Sequence, residues 1–313
     1  MSKLFAYKEH HFDFVSKRII FFIIALVFIV PGLLVTAIAG LNQGIDFTGG
    51  TIVKITYTDT VDLADVRDTA SQFVTQTPSV NEGDNNRFTI KTEELTGEQS
   101  AALNDALAQL GTVDESLSSV DLIGPTIGAE LLRNARWALL IAGVLMLLYI
   151  TIRFKFNYAI TAIVALLHDV LVIVSLFAIF RIEVGSEFIA AILTTVGYSI
   201  NNTIVIFDRI RENERLGIDR NFTNLVNTSI NQTLGRTINT VLAVLILLFA
   251  LFILGGDTTK TFVLALIIGM FAGFFSSVFL VGNVLDFVVK HIGGKKKNAH
   301  HQTKSKPAAV KGK

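Results

Sequence analysis

Residues Thr194–Asn213 read TTVGYSINNTIVIFDRIREN. The stretch begins inside an apolar run, sets two amides side by side at Asn201 and Asn202, and ends among charges at Asp208, Arg209, Arg211 and Glu212. A helix with that order suits a boundary between oil and water. Its upstream part, Phe188–Phe207, is long and apolar enough for a bilayer core, which needs about 20 such residues. The question is why an apolar helix should bury two amides just before its charged end.

The whole chain points to lipid. Of 313 residues, 51% are hydrophobic and 17% are charged, with a mean hydropathy of +0.56. Soluble domains average roughly 25% charged residues. Five more apolar runs accompany the first: Ile19–Ala39, Leu131–Ile152, Tyr158–Phe180, Ile238–Leu254 and Thr261–Val289. The last is long enough to tilt or protrude. Ala37-Ile38-Ala39 imitates a signal-peptidase site, but the run before it exceeds the roughly 7–15 residues of a signal h-region, so it reads as an uncleaved anchor. The fold class is therefore a polytopic α-helical membrane protein with six transmembrane helices.

Lys and Arg in short loops set the orientation. Lys3, Lys8, Lys17 and Arg18 precede the first run, Arg153 and Lys155 follow the second, and Arg209, Arg211, Arg215 and Arg220 follow the fourth. A lysine-rich tail runs from Lys290 to Lys313, whereas the opposite short loops hold only Arg181 and Lys260. Both termini then lie in the cytoplasm. The expected division is a cytoplasmic tail over 1–18, the first transmembrane helix over 19–39, an extracytoplasmic domain over 40–130 and transmembrane helices 2–6 over 131–290. A cytoplasmic amphipathic loop is expected over 208–236 and a basic cytoplasmic tail over 291–313. The tail reads as a solvated orientation signal that touches anionic membrane lipid, and no nucleic acid is expected.

The insert reads as a small α+β domain. GGTIVKITYT (Gly49–Thr58), RFTIKTE (Arg87–Glu93) and SSVDLIG (Ser118–Gly124) look like strands, with a short one near Ser79–Asn81. Val61, Ala64, Val66, Ala70, Phe73 and Val74 fall near helical spacing. Thr96 is a plausible N-cap for a second helix with Leu103, Ala106, Leu107 and Leu110 on one stripe. The order βαββαβ is the ferredoxin-like, or split βαβ, pattern.

Polar groups inside the spans carry the functional signal, because a central charge costs about 2.5–3.5 kcal/mol on insertion scales. Asp169, next to His168, lies about midway along the third run. Its readings are an ion or proton site, or a structural partner for a neighbouring polar group. Thr195, Ser199 and Asn202 share one face of the fourth run, and Thr194, Tyr198 and Asn201 form the adjoining stripe. Such a face meets other helices or a wet cavity; plain interhelical hydrogen bonding is worth ~0.6 kcal/mol per pair. Phe222, Leu225, Val226, Ile230 and Leu234 follow a helical repeat that reads as an interfacial helix feeding the fifth span. Arg236, at its entrance, either snorkels to the cytoplasm or turns inward toward the amides. Gly269, Gly273 and Ser277 permit close helix approach.

Cysteine is absent, which removes disulfides and thiolate metal sites. His10, His11, His300 and His301 sit in the polar ends and read as solvated. No nucleotide loop, nucleophile–base pair or metal triad is visible, so neither an enzyme nor a cofactor or metal is expected.

GIDFTGG (Gly44–Gly50), LLHDV (Leu166–Val170), GYSINNTIVIFDRIREN (Gly197–Asn213) and LGRT (Leu234–Thr237) occur in order at fitting spacing. Together they resemble the SecF family of protein-export subunits, over about residues 15 to 290. The resemblance implies the resistance–nodulation–division superfamily and a six-span half that pairs with a SecD-like subunit beside the SecYEG channel. It implies an unfolded secreted polypeptide as substrate and use of the proton-motive force. It marks Gly44, Asp46, Gly49, Gly50, His168, Asp208 and Arg209 as motif residues and the Asn202 position and Arg236 as an ion-path pair; with Asp169 and Ser199, read from the polar spans, they make the candidate ion-path face. One position departs: where the family usually has an Asp that pairs with the fifth-span Arg, this chain has Asn202. An amide offers an acceptor and two donors but no titratable proton. The alternatives are half of a lipid or small-molecule exporter of the same superfamily, or a non-transporting insertion scaffold.

Overall fold

The computed structural model describes residues 12–75, 77–83 and 85–293. All but the first three residues of the basic tail expected over 291–313, and most of the leader over 1–18, with the histidines named there, lie outside these residues. Among the described residues six helices are long and apolar enough to cross a membrane, and they coincide with the six runs, so the chain is a multi-pass membrane protein. They are α1 (Arg18–Ala39), then after the insert α5 (Pro125–Arg153), α6 (Phe156–Ile179), α7 (Ser186–Leu216), α8 (Phe222–Leu254) and the last span, Thr259–His291.

The last span is compound. α9 (Asp257–Phe275) passes into a π-helical turn, Ser276–Leu280, then α10 (Val281–Val288) and a second π segment, Val289–Gly293. α6, α7 and this span bury much of their surface against one another, whereas α1, α5 and α8 keep most of theirs outward. The bundle core gathers Ile150, Tyr158, Phe207, Val226, Ile230 and Leu285 near one end, and Phe47, Phe177, Phe188 and Ala265 near the other.

The segment 208–236, expected as an amphipathic loop, is mostly helix. α7 carries its charged residues on to Leu216. Gly217, at φ +65°, ends it, and the amide of Ile218 reaches back to the Asn213 carbonyl at 3.2 Å. Such a left-handed C-cap is what glycine supplies without strain. After four linking residues the side chain of Asn221 caps α8 through the amide of Thr223 at 3.0 Å. The amphipathic repeat from Phe222 then continues unbroken into the fifth span as one helix of 33 residues. The described leader closes this end of the bundle: Phe14 is buried, its amide donates to Asn227 Oδ1 at 2.8 Å, and its carbonyl accepts from Asn283 Nδ2 at 3.2 Å.

The insert holds a single-turn helix α2 (Ile45–Thr48), then β1 (Gly50–Thr56), α3 (Leu63–Ser71), β2 (Ser79–Gly83), β3 (Arg87–Thr92), α4 (Gly97–Ala108) and β4 (Ser119–Ile123). The four strands form one antiparallel sheet in the order β2-β3-β1-β4, with Val53 opposite Ile90 and Val120. Thr96 and Gln99 make a reciprocal capping box at the start of α4. Val66 and Ala70 of α3 and Leu103 and Leu107 of α4 pack on Val53, Ile55, Phe88 and Ile90. Each fully buried large apolar side chain contributes about 1.5–3 kcal/mol, enough for a small separate core.

The insert is fastened to the bundle rather than tethered. Gly44 and Val184 pair through Gly44 N to Val184 O at 2.9 Å, and Val184 N donates to Asn42 O at 2.8 Å. Asp46 Oδ2 accepts from Ser186 N at 2.8 Å and Ser186 Oγ at 2.6 Å. Arg181 Nη1 donates to Gly40 O at 2.6 Å, and Lys91 Nζ meets Glu183 Oε1 at 2.8 Å. The loop between α6 and α7 is thus laced to GIDFTGG. The twin glycines are needed there: Gly49 has φ +80°, and a Cβ on Gly50 would strike the Thr92 carbonyl and Ile45.

Candidate functional site

The polar residues of the spans converge where α6, α7 and the π turn meet. Asp169 is 0% exposed. Its Oδ2 accepts hydrogen bonds from Ser199 Oγ of α7 and from Ser276 Oγ, the latter at 3.0 Å. Its Oδ1 lies 2.9 Å from His168 Nδ1. Three side chains thus converge on one buried carboxyl group. His168 in turn stacks on Phe275, with ring centroids 5.7 Å apart. It borders an apolar crevice of about 380 Å³ between α1 and α9, lined by Ala25, Phe28, Val172 and Ala272.

Small residues make this convergence possible. Thr195 packs directly on Gly269, and Ser199 packs on Gly273, where an added Cβ would lie 3.1 Å from the serine Cβ. The same i, i+4 step brings Thr203 Oγ1 to Ser277 Oγ at 3.4 Å. The π turn inserts one extra residue into the helical register, so that Ser276 and Ser277 are both buried. Ser277 Oγ donates to the Gly273 carbonyl at 2.7 Å, and the same carbonyl lies 3.2 Å from Ser276 Oγ as an alternative acceptor. π turns inside α-helices are rare and concentrate at functional sites.

The two amides of the opening stretch part company. Asn201 is exposed and Asn202 is 4% exposed, so one amide is buried rather than two. Neighbours on a helix diverge by about 100°, so the two side chains take different surroundings. Asn202 Nδ2 and the Tyr198 hydroxyl find no hydrogen-bond partner among the described residues, nor does Thr195 Oγ1. Arg236 does not reach Asn202. It is exposed, and its guanidinium makes no hydrogen bond or ion pair among the described residues. Thus Asp169, His168 and Ser199 come together, while Asn202 and Arg236 stay apart from them and from each other.

Of the motif residues, Gly44, Asp46, Gly49 and Gly50 form the insert clamp described above. Asp208 and Arg209 lie at the far end of α7. Asp208 Oδ1 lies 3.5 Å from Arg153 Nη2, and Arg209 donates to Gln232 Oε1 and Glu212 Oε2, each at 2.7 Å. Asn213 Nδ2 donates to Ser229 Oγ and Gln232 Oε1, each at 2.8 Å, which binds α7 to α8. Sequence reasoning missed Ser276, Thr203 and the buried Asp286, whose carboxylate accepts from Thr223 Oγ1 and Lys290 Nζ at 2.8 Å each. The serine pair inside the apolar run FFSSVF was the legible signal for Ser276.

Comparison with known proteins agrees with this architecture. The family model described as "Protein export membrane protein SecD/SecF, C-terminal" matches residues 102–291, and the "SecD/SecF GG Motif" matches residues 35–61. The protein translocase subunit SecF of Sebaldella termitidis is 39% identical over 272 residues, covering 85% of this chain and 88% of the relative. The protein translocase subunit SecDF of Bacillus subtilis is 36% identical, covering 87% of this chain but 37% of that longer protein. The crystal structure of a translocon-associated SecDF from Thermus superposes with a TM-score of 0.79 at 34% identity, covering 90% of this chain and 39% of that one. With full-length relatives at this identity and a family model over most of its spans, the chain belongs to the SecF family of Sec protein-export subunits.

Proposed function

We propose that this chain is one half of a SecD–SecF transporter that uses the proton-motive force to help complete translocation of unfolded secreted polypeptides through a SecYEG-type channel in the bacterial cell membrane. The observation that carries the reading is a face of small and polar residues left open along α7 and α8. Ala190, Thr194 and Asn201 are exposed along one side of α7, with Gly197 between them, and Arg236 is exposed on the neighbouring α8. Small and polar residues of this kind mark helix–helix interfaces in membranes, and an exposed arginine there needs a partner. A SecD-like half supplies it, consistent with SecDF relatives in which this length is 37–40% of the chain.

The arginine and lysine distribution supports cytoplasmic termini with the insert outside. The strand order β2-β3-β1-β4 with two crossover helices supports a ferredoxin-like plan for that domain. Asp169 and Ser199 are the buried groups on which the ion acts, with Asn202 one turn further along α7 and Arg236 turned outward to the partner half. The side chains serve binding and coupling, with no catalytic group among them.

The test has two arms. Purification in mild detergent should bring down a SecD-like protein in stable association. Export of a secreted reporter into inverted vesicles should slow when an uncoupler collapses the gradient, and only when this chain is present. A chain that isolates alone at full stability, or whose contribution survives the uncoupler unchanged, overturns the reading.

A further inference from the structure

A buried carboxylate has two stable conditions in an apolar setting: neutral, or charged and surrounded by donors. Asp169 is arranged for both. When ionised, it accepts from Ser199 Oγ, Ser276 Oγ and an Nδ1–H of neutral His168. When one proton is added, the pair carries no net charge. The proton then rests on Oδ1 and is donated to His168 Nδ1, with the imidazole hydrogen on Nε2.

Ser276 distinguishes loaded from unloaded. Its single hydroxyl hydrogen has two acceptors in reach, Asp169 Oδ2 at 3.0 Å and the Gly273 carbonyl at 3.2 Å. Toward an ionised Asp169 the first is much the stronger, because charge-assisted hydrogen bonds are about twice as strong as neutral ones. Toward a protonated Asp169 the advantage disappears, and the hydroxyl falls back on Gly273. Ser276 opens the π turn, whose register is already a departure from the α-helix on either side.

We propose that Asp169 and His168 form the proton-binding pair of this chain, and that the π turn Ser276–Leu280 responds to the bound proton through Ser276. The proposal rests on the export reading above and goes beyond it, by placing the proton on α6 rather than at the Asn202 position of α7. The surroundings are consistent. Among the described residues, His168 is the titratable group in contact with Asp169. On the helices packed against α6, Tyr198 belongs to the α7 side that packs with Val241 and Met270. The charges of α1 and α7 stand near their ends, at Arg18, Glu187 and Asp208 onward. Glu130, Arg133 and Arg136 of α5 are exposed near the insert, Arg153 closes that helix, Lys260 is at the start of α9, and Asp286 of α10 is held by Lys290.

The test uses the full chain in lipid vesicles and infrared difference spectra between acid and alkaline buffer, in water and in deuterated water. Acidification should produce a protonated-carboxyl band that shifts on deuteration. Asp169→Asn should lose it; His168→Gln and Ser276→Ala should keep a band but displace it; Glu82→Gln, an exposed control, should leave it alone. Hydrogen exchange supplies the second readout. Exchange of the Ser276–Leu280 amides, relative to the rest of α9, should rise several-fold on acidification in the parent and not in His168→Gln. A band that survives Asp169→Asn, or is indifferent to His168→Gln and Ser276→Ala, overturns the site. Equal pH response of the π turn in parent and His168→Gln overturns the coupling. Gradient-dependent export without an Asp169 band sinks this proposal alone, whereas the band with gradient-independent export sinks the export reading alone.

Discussion

Replacing Gly269 by alanine asks whether α7 and α9 are held by shape. A Cβ on Gly269 would overlap Thr195 Oγ1 and Cγ2 and lie 2.9 Å from Thr195 Cβ. Thr195 is 2% exposed and β-branched, so it has no free rotamer to retreat into. The helices must part, and overpacking of this kind costs about 1–3 kcal/mol. Using the scale of about 2–4 °C per kcal/mol for domains of 150–250 residues, the apparent melting temperature should fall by about 2–12 °C. Separation of α7 from α9 also draws Ser199 away from Ser276, so the damage extends to Asp169. Thr195 Oγ1 makes no hydrogen bond among the described residues, so its removal forfeits none and leaves a clean cycle. Thr195→Ala removes the two atoms in overlap but keeps Cβ, and should rescue in part. Thr195→Gly with Gly269→Ala exchanges the two sides and should rescue more. The assay is thermal melting of purified protein followed by size-exclusion chromatography in detergent. Gly269→Ala melting like the parent, or a double variant that is additive within about 0.3–0.5 kcal/mol, refutes the reasoning.

Single cysteines are clean probes in a chain with none: Ser71→Cys and Asn104→Cys should react with an impermeant maleimide from outside intact cells, and Glu214→Cys should not. Arg236→Ala should leave the melting of the isolated chain unchanged, because the side chain is exposed and unpaired among the described residues, yet should reduce recovery of the SecD-like partner in pull-downs. Asp286 is 1% exposed and holds Thr223 and Lys290; Asp286→Ala should cost about 1–3 kcal/mol in the same melting assay, and Asp286→Asn less. Burial raises the Tyr57 phenol from 10.0 to about 12. The folded insert therefore favours the neutral phenol, a contribution complete below pH 10 and lost as pH rises toward about 12. Circular dichroism should show an alkaline transition in that window, and Tyr57→Phe should blunt it.

Apolar runs fix the spans because a bilayer permits little else, so α1, α5, α6 and the bulk of α7 were legible from composition. That Asp169 needs a polar partner on a neighbouring helix was legible, and Ser199 of the polar face of α7 is one such partner. Rotation about the axis was not legible. Asn202 and Arg236 share a depth, yet α8 turns its Thr233 and Thr237 inward and its Arg236 outward. The π turn was equally hidden, since one extra residue leaves an apolar run looking continuous. Over 208–236 the repeat from Phe222 was legible as an amphipathic helix feeding the fifth span; that helix and span are one unbroken element was not, because Asn231 and Gln232 carry no signal of continuity while the backbone hydrogen bonding runs through them. In the insert, alternation found the strands, while their spatial order follows from the crossover helices.

Because the α6–α7 loop is laced to GIDFTGG by paired backbone groups, by Asp46 on Ser186 and by Lys91 on Glu183, the insert has little freedom to drift relative to those two helices. Any tilt of α7 against α6 is then handed to a body that projects beyond the bundle, as a crank hands motion to its arm. The far edge of the sheet sweeps a longer path than the loop that drives it. The stiffness of that joint, more than the strength of any one bond within it, sets how much of the stroke arrives.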